Sequence, residues 1–253
     1  MSSIESSSAR AVYEAWHPRV QSNTAEANRP WHKLLFRHVG PHDLVDRRVL
    51  EIGCGRGELV CHLARFAAAP RQLIAADFAQ SAIQLGRERA HRERVGRVFW
   101  MVSDIQHVAL QDALFDTVIS CETIEHLPDP VGALRELHRV LRPGGCLVLT
   151  TPNYLGPLGL YRGYLRLRGR RYTEGDQPIT RLTLLPRTLM WMYRAGFRVR
   201  TVDAAGHYLL RPGHLPSEPA VLKSFERWLW PFGLHSIVVA EKLRRAEAQA
   251  EAV

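Results

Sequence analysis

The feature that most constrains this 253-residue chain is a short apolar segment that runs into a glycine-rich turn. Val49, Leu50 and Ile52 suit a buried strand, and the residues from position 58 onward suit a helix. The turn between them holds Gly53, Gly55 and Gly57. Glycines allow positive φ and let the backbone come close to a ligand, because they carry no Cβ. A strand, such a turn and a helix in succession predict a ligand-binding turn in an α/β protein.

The spacing of these glycines argues against a dinucleotide as the ligand. A pyrophosphate fingerprint needs glycines at the first, third and sixth positions of the turn. The sixth position here is Glu58, a bulky anion, and Glu51 adds a second negative charge two residues before the first glycine. This lining favours a ligand that carries positive charge and no phosphate.

The rest of the chain predicts a sheet built around this turn. Strands are predicted at 49–52, 72–76, 98–102, 115–120, 146–151, 197–204 and 235–241, and most of them alternate with helices. This alternation predicts a parallel sheet with helices on both faces, whose strand carboxyl ends meet at one edge. We divide the chain into an N-terminal helical cap segment at 1–46 and an α/β domain at 47–253. That domain carries an insertion at about 154–183.

Composition narrows the class of protein. The net charge of +9 is compatible with nucleic acid, an anionic membrane surface or an acidic substrate, and equally with an arginine-rich coding bias. No run of 18 apolar residues exists, so a membrane span is not expected, and the serine-rich N-terminus is unlike a signal peptide. The four cysteines lack paired spacing, which predicts reduced thiols in a cytoplasmic protein and argues against zinc.

Polar residues follow the next three strands at the predicted ligand edge. Asp77 lies 20 residues beyond Gly57. A carboxylate at this distance from a glycine turn typically accepts hydrogen bonds from both ribose hydroxyls of a bound nucleoside. Asp104 is placed to accept from an adenine amino group, with Ile105 and Phe78 against the ring faces. The fourth strand ends in Ser120-Cys121-Glu122. One such acid alone is more often a capping or turn residue, but the set in register predicts a nucleoside site.

From about residue 48 to residue 153 the chain resembles a class I S-adenosylmethionine (SAM)-dependent methyltransferase. The resemblance is carried by the glycine turn, the Asp77 turn, Ser103-Asp104, Phe115-Asp116-Thr117-Val118-Ile119 and Leu141-Arg142-Pro143-Gly144-Gly145. It implies a Rossmann-like, seven-stranded, mostly parallel sheet whose last strand, around 236–240, is antiparallel. It also implies that the turn and Glu51 surround the methionine part of SAM, Asp77 holds the ribose and Asp104 holds the adenine. The cofactor-binding set we predict is Glu51, Gly53, Cys54, Gly55, Gly57, Asp77, Phe78, Ser103, Asp104, Ile105 and Cys121.

A narrower resemblance concerns Glu122-Thr123-Ile124-Glu125-His126-Leu127. The segment is similar to one shared by ubiquinone-pathway O-methyltransferases and small-RNA 3′-end 2′-O-methyltransferases. In those subgroups two glutamates and a histidine of the segment, with a later histidine, hold a divalent cation. The corresponding later region, 174–183, contains no histidine. A divalent metal is therefore not expected, and Glu122, Glu125 and His126 stay weak candidates for one.

Two histidines are candidates for the proton acceptor of the reaction. An oxygen nucleophile at neutral pH benefits from a general base, and histidine has a suitable pKa. His126 follows the fourth strand and His207 follows the sixth. We favour His126, for which the alternative role is packing against or capping the next helix.

The insertion combines arginines with tyrosines between residues 154 and 181. Three interpretations are open: a solvated lid, a basic amphipathic surface on an anionic membrane, and a contact with nucleic acid. The insertion of the ubiquinone-pathway subgroup is thought to meet lipid. Nucleic acid is the least supported, because no recognised RNA-binding module accompanies the domain.

The sequence thus predicts a cytoplasmic O-methyltransferase, with peripheral membrane contact as an option. Its acceptor is expected to be a hydroxyl of a small or lipophilic metabolite, and no nucleic-acid partner is expected. The alternatives are N- or C-methylation of a metabolite, RNA 2′-O-methylation and a SAM-binding scaffold without turnover. Acceptor identity and oligomeric state are not indicated.

Overall fold

The computed structural model describes residues 3–19, 29–65, 70–170, 182–206 and 226–244. Within these ranges one sheet has seven strands: β1 (Arg48–Ile52), β2 (Gln72–Asp77), β3 (Val98–Val102), β4 (Phe115–Cys121), β5 (Leu141–Pro152), β6 (Phe197–Ala205) and β7 (His235–Lys242). Their order is β3-β2-β1-β4-β5-β7-β6. The pairs among β1 to β5 are parallel, whereas β7 is antiparallel to both β5 and β6. The predicted fold class and the antiparallel last strand are confirmed.

Helices cover both faces of this sheet. They are α1 (Ser3–Arg19), α2 (Pro30–His38), α3 (Pro41–Leu44), α4 (Glu58–Leu63), α5 (Gln80–Arg92), α6 (Pro130–Val140), α7 (Pro157–Leu167), α8 (Leu185–Arg194) and α9 (Glu226–Leu229), with 3-10 turns at Ile124–His126 and Trp230–Phe232. The neighbouring residues Val118 and Ile119 of β4 belong to different apolar clusters, as the alternation of side chains along a strand requires. Leu137 of α6 packs in the cluster that contains Val118 (the first apolar cluster), and Leu59 of α4 packs in the cluster that contains Ile119 (the second apolar cluster).

Two boundaries differ from the prediction for identifiable reasons. The sequence predicts a helical pattern over Ala11–His38 that is broken at Pro18 and Pro30, but α1 begins at Ser3 and contains Pro18 in its last turn. Strand β5 begins at Leu141, five residues before the expected position, because Phe115 already pairs with Leu141. The sequence Pro143-Gly144-Gly145 is typical of a turn, but here it lies within β5. The pairing of β5 with β4 shifts register between Phe115 and Thr117, which accommodates these residues.

The indole of Trp100 in β3 locks α5 against the glycine turn. A Cβ added at Gly86 of α5 would lie 2.3 Å from Cζ3 of Trp100, and a Cβ at Gly57 would lie 2.4 Å from Cη2. Real Cβ atoms are not found so close to other heavy atoms. Glycine at these two positions therefore lets the helix and the turn approach the same ring.

We expect Gly86→Ala to lower the free energy of unfolding by about 1–3 kcal/mol, since the new methyl group would overlap Trp100. Gly163→Ala in α7 is the matched control, because nothing lies within 4 Å of its added Cβ. Helix propensity should make that variant more stable by up to about 1 kcal/mol. Urea denaturation measures both. Equal stabilities of the Gly86→Ala variant and the wild type would contradict this packing.

Candidate active site

The glycine turn after β1 has the backbone that the sequence predicts. Gly53, Gly55 and Gly57 have φ of +74°, +50° and +71°, values that favour glycine. The N–H groups of Gly53 and Cys54 both donate to the carbonyl oxygen of Ala76, at 2.8 and 3.0 Å. The turn is thereby fixed to the carboxyl end of β2.

Asp77, the last residue of β2, connects this turn to α5. Its Oδ2 accepts the N–H of Gly55 at 2.9 Å, and its Oδ1 accepts the N–H of Ala79 at 3.0 Å. Burial raises the pKa of Asp77 to about 6, although the two hydrogen bonds act in the opposite direction. Each carboxylate oxygen keeps a further lone pair, so the group can still accept from a diol.

Glu51, in β1 just before the turn, offers a buried carboxyl group. The residue is 4% exposed, and its Oε2 has no hydrogen-bond partner among the described residues. Burial, with the nearby Asp77 and Glu58, raises the pKa of Glu51 well above its usual range. A bound cation would reverse that shift and pair with the free oxygen. The buried hydroxyl of Ser103 has no partner in the described part of the chain either, and it offers a polar contact to a ligand.

The other predicted cofactor residues lie around the same edge. The ring of Phe78 is half-buried, and its centroid lies 5.2 Å from that of Tyr13 in α1. Asp104 closes the turn after β3, where its Oδ1 accepts the N–H of Gln106 at 2.9 Å. Ile105 packs in the first apolar cluster. Cys54 and Cys121 are free thiols whose pKa is raised well above the usual value by burial, so they are neutral.

The structure separates the three weak metal candidates. Oε1 of the buried Glu125 lies 3.7 Å from Nε2 of His126, whose ring centroid is 5.8 Å from that of Tyr13. Glu122 is directed elsewhere: its Oε2 is 3.1 Å from Nδ1 of His235. In the described ranges, no group of three or more His, Cys, Asp or Glu side chains is placed to hold a metal ion. The other predicted base, His207, lies outside the described residues.

The Glu122–His235 pair was missed by the sequence analysis. Glu122 has a φ of +48°, which is unusual for a residue with a side chain, and its N–H donates to the carbonyl oxygen of Thr150 at 3.0 Å. His235 is the first residue of β7, and its ring centroid lies 5.0 Å from that of Trp31 in α2. The two partners are 113 residues apart. The one available signal was the antiparallel last strand, whose first residue must lie at the ligand edge.

Helix α1 contacts both the start of α5 and the glycine turn. The carboxylate of Glu14 accepts the N–H groups of Gln80 at 2.6 Å and Ser81 at 2.8 Å, the first residues of α5. One turn later His17 lies beside the glycine turn, with its Cε1 3.9 Å from the position of a Cβ on Gly55. Helix α1 therefore bridges the end of β2 and the turn after β1.

The comparison with known families decides what this part of the chain is. Residues 50–149 match the family model described as a methyltransferase domain. These residues form a methyltransferase domain. The match covers the glycine turn, Asp77, Asp104 and Glu122, whereas α1, α2, α7 and β7 lie outside it.

Curated relatives support this assignment of the methyltransferase domain. A protein of Mycobacterium tuberculosis named "Probable S-adenosylmethionine-dependent methyltransferase" is 36% identical over 126 residues, which cover 48% of this chain and 41% of that protein. The ubiquinone biosynthesis O-methyltransferase of Xanthomonas oryzae is 38% identical over 112 residues, which cover 44% and 45%. The match thus spans less than half the length of these two relatives.

The fold of the methyltransferase domain also recurs in solved structures. A SAM-dependent methyltransferase from Aquifex aeolicus superposes with a TM-score of 0.61 over 90% of this chain and 97% of that one, at 15% identity. The Mycobacterium tuberculosis relative and the Aquifex aeolicus protein are both named SAM-dependent methyltransferases. The buried carboxyl of Glu51 and the acceptor oxygens of Asp77 fit that cofactor. None of the described helices has the length and apolarity needed to span a bilayer.

We expect the affinity for S-adenosylhomocysteine (SAH), the demethylated product of SAM, to rise between pH 5 and pH 7. Only the ionised carboxylate of Asp77 accepts from both ribose hydroxyls, and its pKa is about 6. Binding below pH 6 must displace a proton, so Kd should increase by up to about tenfold for each pH unit. Calorimetric titration at each pH measures this.

The variants Asp77→Asn and Glu51→Gln separate the two buried acids. Asp77→Asn should bind SAH weakly and lose the step near pH 6, whereas Glu51→Gln should keep that step. The same pH profile in Asp77→Asn and in the wild type would show that another group is responsible.

Proposed function

We propose that this protein transfers the methyl group of SAM to a hydroxyl of a small or lipophilic metabolite. The observation that carries the proposal is the unpaired, buried oxygen of Glu51 beside three positive-φ glycines, within a methyltransferase domain. A buried carboxylate without a partner is costly, and a cationic ligand would satisfy it. The relative named for ubiquinone O-methylation supports oxygen as the acceptor atom.

For this reaction the protein mainly has to position SAM and the acceptor and to exclude water from between them. SAM supplies a methyl group on a positively charged sulfur, and a neutral thioether is its leaving group. Glu51 would hold the positive end of the cofactor, and Asp77 would fix its ribose. Helix α1 would cover the crevice through Glu14 and Tyr13 and keep water out. Alignment of donor and acceptor in such a site can supply several kcal/mol, up to about 7–11.

The acceptor proton needs a base, and His126 is our first candidate. Glu125 lies within 3.7 Å and would stabilise the imidazolium that forms. A second candidate is His235, whose Nδ1 faces Oε2 of Glu122 at 3.1 Å. If Nδ1 donates to that carboxylate, the lone pair of His235 lies on Nε2, the nitrogen that is free to take a proton. His126 lies in the 3-10 turn after β4, and His235 begins β7.

A second candidate function is methylation of a carbon or nitrogen atom of a metabolite. It is favoured by a relative named demethylmenaquinone methyltransferase from Lactiplantibacillus plantarum, which is 30% identical over 122 residues. The residues proposed to bind SAM would be the same as for O-methylation. RNA 2′-O-methylation has less support, since the described residues contain no metal-holding group and the subgroup that resembles this chain uses one.

Transfer of label from methyl-labelled SAM into a metabolite extract tests the function. We expect a labelled product with the wild type and none with Asp77→Asn. Mass spectrometry and NMR then locate the methyl group: a methoxy group supports the main proposal, and an N- or C-methyl group supports the second. Absence of any labelled product, together with normal SAH binding, would favour a SAM-binding scaffold.

The same assay assigns the base. Loss of a general base should reduce turnover by about 10²-fold or more without changing SAH affinity. We expect this of His126→Ala, and His235→Ala is the direct comparison. Wild-type turnover in His126→Ala with a large loss in His235→Ala would transfer the role to the Glu122–His235 pair.

Peripheral contact with an anionic membrane is the second part of the proposal, and it rests on α7. Leu160 and Leu167 are 79% and 89% exposed, and with Tyr164 they form one stripe at i, i+4, i+7 spacing. The opposite face of α7 packs inward through the buried Leu158. The guanidinium of Arg168 lies 5.6 Å from the Tyr164 ring, so positive charge borders the stripe.

A second group of aromatic residues lies near the start of α7. The 3-10 turn at Trp230–Phe232 abuts the start of α7, since a Cβ on Gly156 would lie 2.1 Å from the carbonyl oxygen of Phe232. Trp228, just before that turn, is 81% exposed. Exposed tryptophan beside leucine and arginine is typical of surfaces that lie in the membrane interface.

Vesicle flotation tests this contact. The wild type should float with phosphatidylglycerol vesicles, should float less at high salt and should not float with neutral phosphatidylcholine vesicles. Leu160→Ser with Leu167→Ser should abolish flotation, because it removes the apolar stripe. Tyr193→Ser on α8 removes an equally exposed aromatic ring elsewhere and is the control. Wild-type protein that stays at the bottom of the gradient with anionic vesicles would contradict the contact.

A further inference from the structure

Helix α1 carries a buried histidine whose ring has an unpartnered nitrogen. His17 is 6% exposed, and its Nδ1 is buried without a hydrogen-bond partner among the described residues. Burial, followed by the charge of Arg56, lowers the pKa of His17 to about 4, so the ring is neutral at pH 7. Buried polar atoms in native proteins nearly always have a partner. A ligand placed against His17 would supply the missing partner of Nδ1, so the position of the ring decides what it can bind.

The position of His17 identifies which part of a ligand it would meet. Its Cε1 lies 3.9 Å from the Cβ position on Gly55, and among the described residues no other atom outside the neighbouring residues of Gly55 lies within 4 Å of that position. Asp77, the proposed ribose acceptor, and Asp104, the proposed adenine acceptor, follow β2 and β3. The nucleoside would then extend toward those two strands. Its amino-acid end would point back over the glycine turn, beneath His17.

Charge complementarity at this end favours a hydrogen-bond donor above the turn. The amino-acid end of SAM carries one ammonium group and one carboxylate. Glu51 is the buried acid available to the ammonium group, and it cannot serve the carboxylate. A neutral imidazole with a proton on Nδ1 can donate to that carboxylate, and Arg56, close enough to affect the pKa of His17, adds positive charge.

We propose that Nδ1 of His17 donates a hydrogen bond to the carboxylate of the methionine part of bound SAM, so that α1 becomes part of the cofactor site. The inference rests on the proposed function, because it requires SAM as the ligand. Glu14 holds α1 in place by capping α5, and the cofactor contact of His17 lies one helical turn further on. The cap segment then contributes directly to cofactor affinity.

Two probes that differ only in the amino-acid end test this contact. SAH contains that end, and 5′-methylthioadenosine lacks it while keeping the nucleoside and the sulfur. We expect His17→Ala to weaken the Kd for SAH by about 10- to 100-fold, the range for a lost hydrogen bond to a charged group. The Kd for 5′-methylthioadenosine should change by less than about twofold. Calorimetry measures both affinities directly, without any acceptor.

Three further variants make the result specific. His17→Phe keeps a buried ring without an N–H and should lose SAH affinity like His17→Ala, so it decides the case if the alanine variant does not fold. His17→Asn keeps an N–H near the position of Nδ1 and should retain most of the affinity. His32→Ala is the matched control, because His32 is equally buried, has an unpartnered Nδ1 in the described structure and has a pKa lowered to about 4 by burial. It should bind both probes like the wild type.

Each outcome discriminates. An unchanged SAH affinity in His17→Phe, or an equal loss for both probes, would overturn the contact with the amino-acid end while leaving the proposed function intact. A wild-type protein that binds neither probe would overturn the proposed function itself. Thermal denaturation without ligand confirms that the variants compared are folded.

Discussion

The two hydrogen bonds to the carboxylate of Asp77 are the constraint on which the site depends. They join the turn after β1 to the start of α5 through a single side chain at the end of β2. The same strand end also receives the N–H groups of Gly53 and Cys54. Burial opposes the charge of this carboxylate, and two backbone donors only partly offset that cost. In the free protein the ionised carboxylate of Asp77 is therefore only partly stabilised, and hydrogen-bond donors from a bound ligand would stabilise it further.

The same imbalance recurs around the turn. Glu51 has an oxygen without a partner in the described structure, and the hydroxyl of Ser103 and Nδ1 of His17 are in the same condition. A folded protein rarely leaves so many buried polar atoms unsatisfied in one small region. In the proposed binding mode, Glu51 and Asp77 would accept hydrogen bonds from the ammonium and hydroxyl groups of SAM, and His17 would donate one to its carboxylate. The distribution of unsatisfied atoms is thus complementary to one zwitterionic nucleoside.

Local sequence patterns predict the glycine turn and the strand ends beside it, but they miss the side-chain pairs that join distant parts of the chain. Glycines at 53, 55 and 57 indicate positive φ, because few other residues adopt it readily. Buried strands can likewise be predicted from their apolar runs. The pairing of Glu122 with His235 depends on the place of β7 in the sheet, which no local pattern encodes. The capping of α5 by Glu14 joins residues 66 positions apart. The Pro143-Gly144-Gly145 segment was misjudged because a register shift lets a strand contain residues that usually end one.

The reversed direction of β7 has a consequence for how such proteins diversify. Its neighbours present their last residues to the ligand edge, but β7 presents its first, His235, and then runs away from the site. A substitution there would alter the surroundings of Glu122 without touching the strand ends that flank the nucleoside. In the proposed arrangement, the donor side and the acceptor side both draw on residues inside and outside 50–149, the segment that matches the family model. Exchange of His235 and its neighbours would then change the acceptor side while the glycine turn and Asp77 stay as they are.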